Sequence, residues 1–325
     1  MLFIGTLLVI NIIVAIIISI YCKLTTGICK CSRHLVGKTV IITGGNSGIG
    51  LEIAKDLASR GARVILAYNA KKEGTAVRDL LIECTGNDNV CCRELDLASL
   101  ASVKEFSDGI INTEKRIDIL INNAEIFEGE NIKTKDGLSL YMQVNYFGHF
   151  LLTSLLLPLL KSSSPCRIIN ISSEEHRRGK FELDNIIENA TNDAYNLRKE
   201  YQKAKICNIL MTLELARRLE GTGITSNCLN PGIIFTAIEG ETTLLVRYLQ
   251  KIVQQFLKTP WEGAQTTIFL AVSPEVEFVS GKYYSDCREK IPARCARDKD
   301  VARKLWEISE ELVGLKKIKN DSSDY

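Results

Sequence analysis

The sequence has little that would mark a nucleic-acid-binding, zinc-binding or disulfide-stabilised protein. Its 41 lysines and arginines balance 39 aspartates and glutamates, so the net charge of +2 supplies no basic field and we predict no nucleic-acid partner. The 11 cysteines are odd in number and form no CxxC pair, so we predict neither a disulfide framework nor a metal site. With 325 residues, 46% of them hydrophobic, the chain is long and apolar enough to bury a full core, which excludes disorder.

Residues 2–21 form an apolar run with three polar side chains and no charged one. Twenty helical residues span about 30 Å, the thickness of the hydrocarbon core of a bilayer. The basic residues Lys23, Lys30, Arg33 and Lys38 follow the run, whereas a cleaved signal peptide carries its basic residues before it. We therefore predict a single-pass transmembrane anchor at 1–21 and a basic juxtamembrane linker at 22–37, in contact with the lipid bilayer. The alternative is a buried N-terminal helix.

The excess of basic residues after the anchor places the remainder of the chain in the cytosol. The endoplasmic reticulum is the favoured membrane, and a lipid droplet or a mitochondrial membrane is the alternative. Cys22, Cys29 and Cys31 lie just past the anchor, where cysteines can be acylated, although unmodified thiols are favoured.

Short β-branched runs alternate with longer amphipathic stretches from residue 38 onward. We predict strands at 39–43, 63–68, 90–97, 117–124, 167–172, 224–229 and 282–285. Such short, nearly continuous apolar runs are typical of strands covered on both faces, so the predicted fold is α/β, with a doubly wound parallel seven-stranded sheet. The predicted catalytic domain spans 38–285, and 286–325 form a C-terminal extension with a helix and a polar tail.

The first predicted strand runs directly into TGGNSGIG, residues 43–50, and then into a helix near residue 51. Glycines let the backbone turn sharply and approach a pyrophosphate, which then meets the free N–H groups at the start of the helix. A glycine-rich turn also occurs for structural reasons alone, but the order strand, turn and helix favours a dinucleotide site. The predicted cofactor-binding residues of this turn are Gly44, Asn46, Ser47, Gly48, Ile49 and Gly50.

The glycine spacing G-x-x-x-G-x-G resembles that of the short-chain dehydrogenase/reductase family. Six further positions agree with the family pattern in order, namely Asp96, Asn122-Asn123-Ala124, Asn145, Ser172-Ser173, Tyr201 with Lys205, and Pro231-Gly232 with Thr236 beyond. The resemblance covers about residues 38–285 and implies a Rossmann-type fold that binds a nicotinamide cofactor. It implies further cofactor contacts from Asp96, Leu97, Asn123, Ala124, Tyr201, Lys205, Pro231, Gly232, Ile234 and Thr236.

Tyr201 and Lys205 are four residues apart and would share one helix face. A tyrosine pKa of about 10 moves to about 7 only if the phenolate gains about 4 kcal/mol, much of which a neighbouring ammonium can supply. Tyr201 would then act as the general acid or base in hydride transfer. By resemblance, Lys205 also holds the nicotinamide ribose, Ser173 binds the reacting substrate oxygen, and Asn145 supports a water-mediated proton path.

The end of the second strand decides the cofactor, because an acid there binds the adenosine 2′-hydroxyl and repels a 2′-phosphate. This chain has Tyr68 and Asn69 there, with Lys71 and Lys72 close by. The sequence therefore favours NADP(H) over NAD(H), with Asn69 as the contact, although an amide lacks the bidentate fork of arginine.

Within the family, the anchor, NYFGHF at 145–150, KTP at 258–260 and GKYYSDC at 281–287 resemble the retinol dehydrogenase group that includes members 11 to 14. The resemblance implies interconversion of retinal and retinol, or of similar apolar aldehydes and alcohols. A lid at about 237–259 is rich in apolar residues and would cover an apolar substrate or rest on the membrane. Family habit also makes a homodimer possible.

Glu125 departs from the family pattern, because it replaces the glycine of NNAG. Its side chain and charge would stand close to the cofactor and could weaken nicotinamide binding. A second departure is the interval of 28 residues from Ser173 to Tyr201, which alters the rim of the pocket. The alternative function is therefore a weakly active, cofactor-binding membrane scaffold or sensor of the same fold.

Overall fold

The computed structural model describes residues 23–69, 71–127, 132–179, 181–183, 186, 197–234 and 257–316. The predicted anchor at 1–21, Cys22, Thr236 and most of the predicted lid at 237–259 lie outside these ranges. Within them, no helix is both long and apolar enough to cross a membrane.

Strands and helices alternate along the chain. The elements are β1 (Thr39–Thr43), α1 (Gly48–Ser59), β2 (Arg63–Tyr68), α2 (Lys71–Thr85), β3 (Val90–Glu94), α3 (Leu100–Thr113), β4 (Ile119–Asn122), α4 (Gly148–Ser162), β5 (Cys166–Ile171), α5 (Leu197–Arg218), β6 (Ile224–Asn230), α6 (Pro260–Val272), β7 (Tyr283–Ser285), β8 (Arg288–Lys290) and α7 (Lys299–Leu312). A helical turn (Leu140–Met142) and a π-helical turn (Gln143–Phe147) lead directly into α4, and a 3₁₀ turn (Glu174–Arg177) follows β5.

The strands form one sheet in the order β3-β2-β1-β4-β5-β6-β7-β8. The Rossmann-type parallel arrangement of the first seven strands is confirmed, but the prediction of seven strands in total was wrong. The eighth strand pairs antiparallel with β7. Asp286 and Cys287 make this reversal with φ angles of 54° and 55°, as in the two-residue turns of β-hairpins. The exposed sequence REK of β8 carries no apolar signal from which a strand could be predicted.

At the carboxyl edge of the sheet, two predicted strands extend two or more residues beyond the observed ones. β3 ends at Glu94 rather than at residue 97, and β4 ends at Asn122 rather than at residue 124. The remaining residues, including Leu97 and Ala124, belong to loops at the carboxyl edge of the sheet. The shorter strands matter for the site. N–H groups of loop residues are not used to pair with a neighbouring strand, so they can donate to side chains or to a ligand.

Helices cover both faces of the sheet. Helices α3, α4, α5 and α7 contribute to the core on one face, and α1, α2 and α6 to the core on the other. The C-terminal helix α7 belongs to the first core through Trp306, which is 4% exposed. Its ring lies 4.7 Å from the ring of Phe150 and 4.5 Å from the guanidinium of Arg218. The described part of the C-terminal extension is therefore packed on the core through α7.

Residues 23–31 pack along α6 and the β7–β8 hairpin. Lys23 forms an ion pair of 2.6 Å with Glu262, and the Gly27 N–H donates to Asp286 at 3.3 Å. A β-carbon at position 27 would lie 2.0 Å from the Asp286 carbonyl oxygen, so the segment approaches the hairpin as closely as glycine allows. The segment predicted as a linker is thus docked on the catalytic domain.

The order of the strands in the sheet determines where the site lies. β1 lies between β2 and β4, so the chain leaves the sheet in opposite directions on either side of β1, and ligands of open α/β sheets bind at such a switch point. The carboxyl ends of β1, β4, β5 and β6 are neighbours along this edge.

Candidate active site

The turn after β1 is shaped by glycines. Gly44 and Gly48 have φ angles of 64° and 50°, in the left-handed region that favours glycine. A β-carbon at Gly50 would lie 2.1 Å from the Gly44 carbonyl oxygen, so only glycine lets α1 pack against the turn. A β-carbon at Gly48 would meet no atom within 4 Å, which leaves open space at the start of the helix.

This turn fits the phosphates of a dinucleotide. The exposed Ser47 is the N-cap of α1 but makes no side-chain capping hydrogen bond, and the first turn of the helix carries no acidic residue. The first N–H groups of α1 and the positive end of its dipole therefore face open space without a carboxylate beside them. Asn46 and Ile49 flank the turn and are half-buried.

Thr43 joins the glycine turn to the loop after β4, and sequence reasoning missed it. Its buried hydroxyl oxygen accepts hydrogen bonds from the N–H of Asn123 at 2.8 Å and of Ala124 at 2.9 Å. In return, the Asn123 amide donates to the Thr43 carbonyl at 2.9 Å. The Asn123 amide also donates to the Gly44 carbonyl at 3.3 Å, so these bonds join the predicted cofactor residues Gly44, Asn123 and Ala124.

His149 was also missed, because a lone histidine on an apolar helix carries no signal. Its Nε2 lies 2.9 Å from the Thr43 hydroxyl, and the side chain is fully buried. Burial, and secondarily the positive charge of Lys205, lowers the pKa of His149 to about 3. The imidazole is therefore neutral at physiological pH and serves as a polar support beneath the turn.

Helix α5 places Tyr201 and Lys205 on one face, as their spacing predicts. The Lys205 ammonium lies 5.1 Å from the centre of the Tyr201 ring, and the two residues are 1% and 6% exposed, respectively. The carbonyl of Ile171, at the end of β5, accepts a hydrogen bond of 3.3 Å from Lys205 Nζ. The Ser172 hydroxyl donates to the Lys205 carbonyl at 2.9 Å, which joins the helix to the same strand end.

Glu125 lies between these two side chains. Its Oε2 is 2.5 Å from Lys205 Nζ and accepts a hydrogen bond of 3.1 Å from the Tyr201 hydroxyl. Sequence reasoning singled out Glu125 as a departure from the family pattern but did not place it against the pair. The structure therefore adds a carboxylate to the predicted group of Tyr201, Lys205 and Ser173.

The carboxylate changes the expected acid–base properties of the tyrosine. Burial raises the pKa of Tyr201 well above its ordinary value, and the charge of Glu125 raises it further, whereas a hydrogen bond with the Ser173 side chain lowers it. This direction is opposite to the lowering towards 7 that activation of Tyr201 requires. The physical reason is that burial disfavours the charged phenolate, and the negative charge of Glu125 disfavours it further.

Ser173 and Asn145 lie beside the pair. Ser173 caps the 3₁₀ turn after β5, and its hydroxyl accepts from the Glu175 N–H at 3.3 Å. Asn145 sits in the π-helical turn, a feature often found at functional sites. Its amide holds the backbone of Ile126 through bonds of 2.8 and 2.9 Å, and its carbonyl accepts from Asn208 at 3.1 Å. Asn208 is a further residue that sequence reasoning missed.

The remaining predicted residues line the same edge at increasing distance along the sheet. After β6, the Gly232 N–H bonds the Asn230 side chain at 2.9 Å, and Ile234 pairs with Lys258. On the other side of β1, Asn69 is exposed at the end of β2. The loop after β3 is fixed by the Asp96 carboxylate, which accepts from the Ala98 N–H at 2.9 Å, and Leu97 beside it is buried.

Comparison with known proteins finds the same architecture and closely similar sequences. A family model described as short chain dehydrogenase matches residues 38–244. Human retinol dehydrogenase 14 is 48% identical over 297 residues, which cover 86% of this chain and 88% of that protein. Human retinol dehydrogenase 11 is 40% identical over 292 residues, which cover 90% and 91%.

Solved structures share the fold. L-Sorbose reductase from Gluconobacter frateurii, in complex with NADPH and L-sorbose, superposes with a TM-score of 0.63 at 23% identity and covers 78% of this chain and 96% of that one.

Proposed function

Because this chain belongs to the short-chain dehydrogenase/reductase family, where it resembles the group of retinol dehydrogenases 11 to 14, we propose that it is a membrane-anchored, NADP-dependent oxidoreductase of retinal, retinol or similar apolar carbonyl compounds and alcohols. That it is an oxidoreductase acting on CH–OH or carbonyl groups follows from the family. The pairing of Tyr201 with Lys205 beside Ser173, at the carboxyl edge next to the glycine turn, is the observation that carries the finer proposal.

Each residue of the site would have its own role in the reaction. The glycine turn, Asn123 and Lys205 would hold the nicotinamide cofactor, which supplies or accepts the hydride when bound. Ser173 would orient the substrate oxygen. In reduction, the Tyr201 hydroxyl would donate its proton to the carbonyl oxygen, so that the C=O bond becomes CH–OH and the phenolate remains to be reprotonated. Oxidation would run the same proton transfer in reverse.

The preference for NADP(H) is supported by the end of β2. Asn69 is exposed and offers no carboxylate to repel a 2′-phosphate. An Asn69→Asp variant should therefore lose NADPH affinity and gain NADH affinity, measured by cofactor fluorescence titration, while Asn69→Gln should leave the ratio of the two affinities within about threefold of the parent. An unchanged ratio in Asn69→Asp would contradict the assignment of this residue.

Membrane attachment is supported by the docked juxtamembrane segment. Lys23 is tied to the start of α6, and Gly27 is bonded to Asp286, which also pairs with Lys258 at 2.7 Å. Lys258, near the end of the predicted lid, in turn pairs with Ile234, which lies just before the lid begins. An anchor at 1–21 would therefore hold the two ends of the lid close to the bilayer, where apolar substrates partition.

A homodimer stays a prediction.

The decisive experiment is the oxidation of NADPH, with NADH in parallel, by detergent-solubilised protein offered all-trans-retinal and medium-chain aldehydes. We expect turnover with NADPH and its loss by at least a hundredfold in Tyr201→Phe, which keeps the ring but removes the proton. Tyr284→Phe, a buried tyrosine on β7 in the opposite core, is the matched control and should keep its activity. Undiminished turnover by Tyr201→Phe would refute the mechanism.

A second candidate is the weakly active membrane scaffold or sensor, and one observation favours it. Glu125 forms an ion pair with Lys205, the residue expected to hold the nicotinamide ribose. If the carboxylate keeps the cofactor out, Glu125→Gly should raise NADPH affinity at least tenfold and the parent should turn over no carbonyl compound. Turnover by the parent with ordinary cofactor affinity would exclude this candidate.

A further inference from the structure

The position of Glu125 is fixed on both sides by backbone hydrogen bonds. Before it, the N–H of Ala124 is held by the Thr43 hydroxyl at 2.9 Å. After it, the N–H and carbonyl of Ile126 are both held by the Asn145 amide, at 2.8 and 2.9 Å. Because its neighbours are held at three backbone atoms, Glu125 is presented to the tyrosine and lysine by the framework of the site and not by a free loop.

One carboxylate oxygen contacts both functional groups of the pair. Oε2 of Glu125 lies 2.5 Å from Lys205 Nζ and 3.1 Å from the Tyr201 hydroxyl. Phe127 packs edge-on against the Tyr201 ring with the ring centres 4.9 Å apart. The Glu125 side chain itself is 34% exposed, so the carboxylate joins the buried pair to solvent.

Electrostatics give this contact a definite direction. An ammonium beside a phenol favours the phenolate, whereas a carboxylate that hydrogen-bonds the hydroxyl favours the neutral phenol. A carboxylate placed on both therefore cancels the activation by the lysine and adds its own repulsion. Accordingly, burial and then Glu125 hold the pKa of Tyr201 far above its ordinary value.

The other charged groups near the tyrosine do not reverse this effect. From the 3₁₀ turn, Glu175 also raises the pKa of Tyr201, but it is hydrogen-bonded to Arg198 at 2.8 Å and to Arg178 at 2.5 Å. From α4, His149 is neutral, because its pKa is lowered to about 3. Lys205 is the cation on the helix of Tyr201 that contacts its ring, and it is the group that Glu125 pairs with.

We propose that Glu125 is a positioning residue that pairs with Lys205 and keeps Tyr201 in its protonated form, so that carbonyl reduction persists to more alkaline pH than in the same protein with an uncharged residue at position 125. The inference rests on the proposed function. The equilibrium between carbonyl and alcohol is not altered, because a protein side chain changes the rates of both directions together. What changes is the pH range over which the proton donor is available.

The direct test is an ultraviolet titration of the Tyr201 phenolate in the full-length protein without cofactor. The sequence has ten tyrosines, so the signal of Tyr201 is taken as the difference between each protein and its Tyr201→Phe counterpart. Glu125→Gln keeps the shape and removes the charge, and its phenolate should appear at least about one pH unit below that of the parent. Glu175→Gln is the matched control, because this carboxylate is nearby but does not bridge the pair, and it should shift the titration less.

The outcomes distinguish an effect of the Glu125 charge from an effect of its shape. They also distinguish failure of this inference from failure of the proposed function. A shift in both Glu125→Gln and Glu125→Gly supports the inference, whereas no shift in Glu125→Gln overturns it, and so does a shift in Glu125→Gly alone. In the activity arm, the alkaline limb of kcat/KM for retinal reduction should fall by at least about one pH unit in Glu125→Gln, and an unmoved limb overturns the inference. If no protein turns over any carbonyl compound, the proposed function fails, and the phenolate titration still decides the role of Glu125.

Discussion

Replacing Thr43 by valine should destabilise the protein through the loss of a single hydroxyl group. Valine has nearly the same shape and keeps the β-branched side chain that suits β1, so packing changes little. The hydroxyl oxygen accepts the N–H groups of Asn123 and Ala124, and Thr43 is fully buried. A buried donor left without an acceptor costs about 1–3 kcal/mol, so the two donors together should cost about 2–6 kcal/mol. This is a large part of the stability of about 5–15 kcal/mol typical of a domain.

The assay is urea unfolding of the full-length protein in detergent, followed by circular dichroism. The midpoint of Thr43→Val should fall while the slope stays the same, because the surface exposed on unfolding is unchanged. Thr43→Ser is the control, since it keeps the acceptor and loses only a methyl group, which costs about 1 kcal/mol. The reasoning is refuted if Thr43→Val lies within about 0.5 kcal/mol of the parent, or if Thr43→Ser loses as much as Thr43→Val.

Three further predictions concern other parts of the framework. Gly50→Ala should lower NADPH affinity at least tenfold in a fluorescence titration, because the new β-carbon lies 2.1 Å from the Gly44 carbonyl oxygen; the helical control Gly109→Ala, with only an arginine nitrogen at 3.8 Å, should bind normally. Burial of His149 lowers its pKa to about 3, so as the pH falls below 6.5 the unfolded state binds a proton before the folded state does. The free energy of unfolding should therefore fall by about 1 kcal/mol for each pH unit below 6.5. His149→Gln should flatten this part of the pH dependence of urea unfolding, and an unchanged slope would contradict the assignment. Trp306→Ala should cost about 3–5 kcal/mol in the same assay if α7 belongs to the core, and a loss below about 1 kcal/mol would show that it does not.

Most of the fold could be predicted from the sequence, because its signals are local. Seven short apolar runs between amphipathic stretches predicted the seven parallel strands, and the glycine spacing predicted the turn between β1 and α1. The positions of strand ends were less certain, since a run of apolar residues does not say where backbone pairing stops. The antiparallel strand β8 was missed, because its exposed sequence has no apolar periodicity and its pairing depends on a turn with two positive φ angles.

The residues that could do the chemistry can be identified from the sequence alone, since Tyr201 and Lys205 share a helix face whatever surrounds them. Which side chain contacts the two of them depends on the tertiary structure. Glu125 is 80 residues from Lys205 along the chain, and it reaches the lysine because β4 and β5 are adjacent and because Thr43 and Asn145 hold the intervening loop. Pairing across such a distance leaves no periodic pattern in the sequence, because it depends on the order of strands in the sheet. Which groups of the site hold a proton is therefore determined by the fold.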